Sequence, residues 1–242
     1  MKHKKLIIGL IVAALIIITA VASFFIYVNV YYEADMEAIA AYDYTGFDIR
    51  EIDDGAFAYV PKGEYDTGIV FYPGGKVEHL AYVPLMKCLA SKGILCVLVD
   101  MPYNLAVFDT DRATGCFEGF VSVQHWYMAG HSLGGSMACE YANDNQSIFE
   151  GVILLASYSS ADLSQTAFKV LSIYGSNDGV LDMDSYGESK ANLPASFEEK
   201  VIVGGNHAYF GVYGEQDGDG TATISNREQI EQATEIILEF LK

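Results

Sequence analysis

The chain has 242 residues, 51 % of them apolar and 19 % charged, which suits a buried core and excludes low-complexity disorder and collagen-like repeats. Its 14 basic residues stand against 32 acidic ones, a net charge of −18. A chain this acidic repels phosphate backbones, which argues against a nucleic-acid partner.

The charge is unevenly spread. Residues Leu6 to Val28 carry none, and as a helix these 23 residues span roughly 35 Å, enough to cover a bilayer core of roughly 30 Å. Three lysines lie among the first five residues, whereas Tyr31, Tyr32, Glu33, Asp35 and Glu37 follow the run and no basic residue precedes Arg50. This asymmetry predicts a cytoplasmic basic tail (1–5), a transmembrane signal anchor (6–28), a juxtamembrane stalk (29–50, helical over Val30 to Tyr44) and an extracytoplasmic folded domain (51–242). The small-x-small sequence Ala20-Val21-Ala22 offers the competing reading, a signal cleaved after Ala22 and a secreted domain. Without residues 1–28, the remaining 214 residues hold 11 basic and 32 acidic side chains, a net −21 on a length suited to one domain.

Next in order, Ala56 to Val60 reads as an edge strand closed by Pro61. Gly68 to Tyr72 is a continuous apolar run, the pattern of a strand covered on both faces, and it ends in Pro73-Gly74-Gly75. Leu80 to Lys92 has helical spacing and stops at Gly93, and Ile94 to Val99 is the next buried strand. A polar segment near Asp109 to Phe120 reads as helical. Strands follow at Trp126 to Ala129, Gly151 to Ala156, Lys169 to Tyr174 and Lys200 to Val203, with a helix at Leu133 to Tyr141. Gln229 to Leu241 closes the chain as an amphipathic helix through Ile230, Ala233, Ile237 and Leu241. Such alternation predicts an α/β fold with a mostly parallel sheet covered on both sides. The dozen residues from Ser157 to Phe168 leave no room there for a large lid. Of the four cysteines, Cys88, Cys96 and Cys139 sit in apolar patterns, and none of the four, Cys116 included, shows CxxC or Cys/His metal spacing. Buried free thiols are expected.

Gly130-His131-Ser132-Leu133-Gly134 lies between a strand and a helix, the context of a G-x-S-x-G nucleophile elbow. The serine must occupy a strained turn, glycines on either side let strand and helix backbones approach, and the helix amino terminus offers amides to an oxyanion. A serine nucleophile needs a base and an orienting carboxylate. Of the five histidines, His3 precedes the apolar run, His79 precedes the serine, His125 opens the strand at its far end, and His131 is tied into the elbow. His207, in the loop Gly204-Gly205-Asn206-His207, fits the chain order Ser, acid, His. Asp178 is the first carboxylate after the Lys169–Tyr174 strand, with Asp182 and Asp184 a few residues beyond it. For the oxyanion, the amide of Leu133 pairs with that of Gly75, or alternatively Lys76. The acidic stretch Gly214 to Gly220 lacks the D-x-D-x-D-G spacing and closing Glu of a calcium loop; it reads as a solvated loop, or as part of the pocket rim.

Taken together, the PGG turn, the DMP strand end, HWYMAGHSLGGSMA, YGSNDGV and GGNHAYFG resemble the alpha/beta hydrolase superfamily from about Ala56 to Lys242, most closely its small, lid-less branch related to dienelactone hydrolases and carboxylesterases (fold family five). The resemblance implies an alpha/beta hydrolase fold with about eight strands, Ser132 as nucleophile, Asp178 as acid and His207 as base. Dienelactone hydrolases carry cysteine where this chain has Ser132, and Tyr72-Pro73-Gly74 stands where lipase oxyanion loops begin with His-Gly-Gly. The expected function is a membrane-anchored extracytoplasmic serine hydrolase, a carboxylesterase on small accessible esters, with a small-molecule ester as substrate and no metal or cofactor. Thioester hydrolysis and acyl transfer use the same residues, and a catalytically silent binding protein is the rival from another class.

Overall fold

The computed structural model describes residues 2–53 and 55–242. Met1, first in the expected basic tail, lies outside the described residues, as do Asp54 and the His3 side chain. The chain divides into two units, Met1–Tyr31 and Tyr32–Lys242. The first is built on helix α1 (Lys2–Val28). Its residues 4–28 are long and apolar enough to cross a membrane, a matter of length and composition that a signal sequence also satisfies.

The second unit holds an eight-stranded sheet. In chain order it contains α2 (Met36–Ala40), β1 (Phe47–Asp53), β2 (Ala56–Pro61), β3 (Thr67–Tyr72), α3 (Val83–Ser91), β4 (Leu95–Leu98), β5 (His125–His131), α4 (Leu133–Asp144), β6 (Phe149–Leu155), β7 (Lys169–Gly175), α5 (Met183–Ser189), β8 (Glu198–Ile202) and α6 (Asn226–Phe240). The strands lie in the order β1-β2-β4-β3-β5-β6-β7-β8. β2 runs antiparallel to both its neighbours, and every other pair is parallel. Because side chains alternate along a strand, the sheet buries two cores. Ile69, Phe71, Tyr127 and Ile153 pack with Leu85 and Leu89 of α3 and Ile230, Ala233 and Ile237 of α6. Val70, Tyr72, Met128 and Val152 pack on the other face with Ala138, Cys139 and Ala142 of α4. Covering on both sides is why these strands read as unbroken apolar runs.

Three expectations need correction. Most of the stretch expected as a stalk (29–50) is built into the second unit: the Tyr32 amide donates to Lys76 O at 2.8 Å, the Asp35 amide to Val212 O at 2.9 Å, and Ile39 and Tyr42 are buried in the core. Its only α-helix is the five-residue α2, and β1 begins inside it. Consequently Ala56–Pro61 is not an edge strand, because β1 pairs along its outer side. The helix expected near Asp109 to Phe120 is a succession of turns, interrupted by Gly115 and Gly119 at φ of +84° and +90°. None of the four cysteines, all buried, is in a disulfide among the described residues.

Candidate active site

The residues expected as triad and second oxyanion donor all follow the carboxyl ends of parallel strands, the edge where open α/β sheets bind ligands. Gly75 follows β3, Ser132 follows β5, Asp178 follows β7 and His207 follows β8. Hydrogen bonds carry the ladder past the strand ends: the Ser132 amide donates to Leu155 O at 3.0 Å, Ala156 to Ile173 O at 2.7 Å and Asn177 to Gly205 O at 2.8 Å.

At the elbow, Ser132 has φ +51° and ψ −128°, a conformation strained for any residue with a Cβ. The turn closes so tightly that a Cβ on Gly134 would lie 2.1 Å from Pro73 O and 2.4 Å from Tyr72 O, and one on Gly130 would lie 2.6 Å from the Gly134 backbone. The Ser157 hydroxyl donates to Ser132 O at 2.6 Å and braces the turn from the end of β6. Leu133 is the first residue of α4, so its amide has no acceptor within the helix.

Asp178 and His207 meet, with side chains each only 2 % exposed. Asp178 Oδ1 accepts the amides of Val180 (2.9 Å) and Leu181 (2.8 Å), and Oδ2 lies 2.9 Å from His207 Nδ1. A carboxylate only accepts, so Nδ1 carries the proton and Nε2 presents its lone pair. That Nε2 is buried and makes no hydrogen bond. It therefore has no bond to Ser132 Oγ, yet both residues line one cavity of about 220 Å³, with Leu133, Ser136, Tyr158, Leu181 and Asp182. A larger cavity of about 510 Å³, lined by Tyr44, Cys88, Lys92 and Glu231 among others, shares none of these residues.

Among the three glycine-loop amides after Pro73, that of Gly74 donates to Tyr82 Oη at 3.1 Å and that of Lys76 to Asn104 O at 2.7 Å. The Gly75 backbone approaches Leu133 so closely that a Cβ there would lie 2.8 Å from Leu133 Cδ2.

The other carboxylates and histidines have different partners. Asp182 lines the cavity but caps α5 through the amides of Asp184 and Ser185. Asp184 is exposed. His79 bonds Asp100 at 3.1 Å and stacks on Phe57. His125 bonds Glu150 at the opposite end of the sheet.

His131 is fully buried in a directional chain. Its Nε2 lies 3.1 Å from His207 O, an acceptor, so Nε2 carries the proton. Nδ1 then accepts from Tyr82 Oη at 2.8 Å, and that oxygen in turn accepts the Gly74 amide. Burial, reinforced by the neighbouring His207, pushes the His131 pKa well below its usual 6.5 and keeps the ring neutral, as this chain requires.

Tyr82 was not singled out from the sequence, and neither was Asp219. Nothing local marks Tyr82; its bond to His131 joins residues 49 apart. Asp219 belongs to the stretch expected to be a solvated loop. Glu215 and Asp217 are exposed as expected, but Asp219 is partly buried and turned onto the His207 backbone.

A family model described as "Alpha/beta hydrolase family" matches residues 68–231, about two thirds of the sequence. The chain belongs to the alpha/beta hydrolase family. Among solved structures, this hydrolase resembles Est1E from Butyrivibrio proteoclasticus at 17 % identity and a TM-score of 0.58, covering 81 % of this chain and 99 % of that one. A dienelactone hydrolase from Anabaena variabilis is similar at 14 % identity and a TM-score of 0.61, covering 82 % of this chain and 100 % of that one. A protein from Thermoplasma acidophilum described as a "predicted CIB-like hydrolase" is similar at 16 % identity and a TM-score of 0.57, covering 81 % of this chain and 99 % of that one. At such identities the likeness is one of fold. No curated protein matches the sequence. In this hydrolase the family's strand-turn-helix context for a G-x-S-x-G serine is met at Ser132.

Proposed function

We propose that this hydrolase is a membrane-anchored serine carboxylesterase acting outside the cytoplasm on small, accessible esters. The observation that carries the reading is His207: its Nδ1 is bonded to Asp178, its Nε2 is buried and unpartnered, and the residue lines the same cavity as Ser132. A buried acceptor without a partner costs about 1–3 kcal/mol, and a hydroxyl or a leaving alcohol in that cavity would satisfy it.

Ser132 Oγ attacks the ester carbonyl as His207 Nε2 takes its proton, and Asp178 holds the resulting imidazolium through Nδ1–H. The carbonyl oxygen becomes an oxyanion held by the amides of Leu133 and Gly75. That pairing is supported over Lys76 because the Lys76 amide already donates to Asn104 O. Collapse of the tetrahedral intermediate breaks the ester C–O bond, and His207 returns the proton to the departing alcohol. Water, deprotonated by the same Nε2, then attacks the acyl-enzyme and releases the acid and free Ser132. No step in this sequence calls on a metal or cofactor.

A cavity of about 220 Å³ suits a short acyl group. The net −21 of residues 29–242, and Asp182 on the cavity wall, favour neutral over anionic esters. Three lysines before residues 6–28 and none for a long stretch after them support a cytoplasmic amino terminus with the hydrolase unit on the far side. The test uses the full chain in detergent. Ser132→Ala should abolish turnover of a short-chain chromogenic ester and labelling by a fluorophosphonate probe; labelling that persists at the wild-type rate would sink the proposal.

A further inference from the structure

The loop between His207 and α6 runs against the loop that carries Asp178, and a single carboxylate joins them. Asp219 Oδ1 accepts the amides of Gly179 (3.0 Å), His207 (3.2 Å) and Gly220 (2.8 Å), and Oδ2 accepts the amide of Ala208 (2.9 Å). Gly179 adjoins Asp178, and Ala208 adjoins His207. The carboxylate therefore grips the main chain of the acid's loop and of the base's loop at once. The packing around it is close: a Cβ on Gly179 would lie 2.6 Å from Gly218 O, and one on Gly220 would lie 1.9 Å from Asn177 O. Two amide side chains tie the same loops, Asn206 Nδ2 to Gly220 O and Asn177 Nδ2 to Thr221 O, both at 2.9 Å.

We infer that Asp219 is a positioning residue, which sets the separation and orientation of Asp178 and His207 from the backbone side. The inference rests on the proposed serine hydrolysis for its catalytic meaning. The physical case is that four N–H groups converge on one acceptor group. N–H bonds to a charged acceptor are about twice as strong as neutral ones, and only a carboxylate offers acceptors on both oxygens at this reach. The side-chain bond between Asp178 and His207 fixes one distance; the Asp219 bonds fix where the two backbones stand. Misplacing a catalytic group by 1 Å can cost about 100-fold in rate.

The test compares Asp219→Ala and Asp219→Asn with the wild-type full chain in detergent. Alanine should lower kcat by about 10- to 100-fold with KM within about threefold. Asparagine keeps Oδ1 but turns an NH₂ toward the Ala208 amide, so it should recover part of that loss. Independently of activity, the downfield Nδ1–H proton resonance of His207, identified by its disappearance in His207→Gln, should broaden or vanish in Asp219→Ala and survive in Asp219→Asn. A kcat within threefold of wild type in the alanine variant, a loss confined to KM, or a loss merely proportional to the unfolded fraction by circular dichroism overturns the inference. So does an unchanged His207 resonance. A wild-type protein that neither labels nor turns over refutes the hydrolysis proposal instead, and the resonance then decides the positioning role by itself.

Discussion

Replacing Tyr82 by Phe removes one oxygen from a side chain that is fully buried and otherwise keeps its shape. That oxygen bonds the Gly74 amide at 3.1 Å and His131 Nδ1 at 2.8 Å. The variant therefore leaves a buried donor and a buried acceptor without partners, in a pocket too tightly packed to admit water easily. Each orphaned group costs about 1–3 kcal/mol, so the two together should cost about 2–6 kcal/mol of folding stability. In a unit of this size 1 kcal/mol corresponds to about 2–4 °C, which places the fall in Tm at about 4–24 °C. The assay is thermal and denaturant unfolding of the full chain in detergent, followed by circular dichroism. A loss below about 1 kcal/mol would refute the chain of reasoning, because a surface-type tyrosine loses no more than that.

Other consequences are equally direct. Gly134→Ala forces a methyl group to within 2.1 Å of Pro73 O, which is backbone and cannot yield, so α4 must move away from the end of β3. It should cost about 3 kcal/mol or more and separate the Leu133 amide from Gly75; a variant with wild-type Tm and full ester turnover would contradict the geometry. Burial holds the pKa of His131 well below 6.5, so the unfolded chain takes up a proton that the folded chain refuses once pH falls below about 6.5. Stability from this group is fully present above that pH and declines on acidification. Between pH 7.5 and 5.0 the wild type should lose more stability than His131→Gln, whose amide supplies a donor and an acceptor without titrating. Parallel denaturant titrations of the two proteins at both pH values measure the difference, and equal losses would show that His131 does not titrate on unfolding.

What was legible in the sequence follows from how far each signal reaches along the chain. Strands β3 and β4 are covered on both faces, so they appear as apolar runs; β1 lies at the sheet edge with Asp48 and Arg50 exposed on one face and Ile49 and Glu51 on the other, so it shows neither an apolar run nor a clean alternation, and it was missed. Helix α5 was missed because it is seven residues long, shorter than the window in which helical periodicity becomes visible. Ser132 stood out because strand, turn and helix are contiguous, and His207 because strand order restricts where it can fall. The partners that hold these residues lie far away in sequence: Tyr82 is 49 residues from His131, and Asp219 is 40 from Gly179. No local pattern carries such pairs. The acidic loop looked solvated because its charge and glycine content are those of an exposed turn, and only the backbone amides arriving from β7 and β8 distinguish Asp219 from its exposed neighbours.

His207 shows what this wiring accomplishes. Its amide donates to Asp219 at 3.2 Å, its carbonyl accepts from His131 at 3.1 Å, and its Nδ1 donates to Asp178 at 2.9 Å. Each bond comes from a different part of the chain: the loop before α6, the end of β5, and the loop after β7. Three of the four polar atoms of the residue are thus committed, and Nε2 alone is not. Because Nδ1 must donate, the tautomer is set before any substrate arrives, and because the backbone is held on both sides, little freedom remains to be lost when Nε2 engages a proton. The same His131 bond runs on through Tyr82 to the Gly74 amide, so the loop before Gly75 and the loop of the proposed base are ends of one hydrogen-bonded chain. Orienting Gly74 toward Tyr82 leaves the next amide, that of Gly75, as the donor available for an oxyanion. The base and the oxyanion donor of the proposed reaction are therefore fixed relative to each other through His131, which is not among the residues lining the cavity shared by Ser132 and His207.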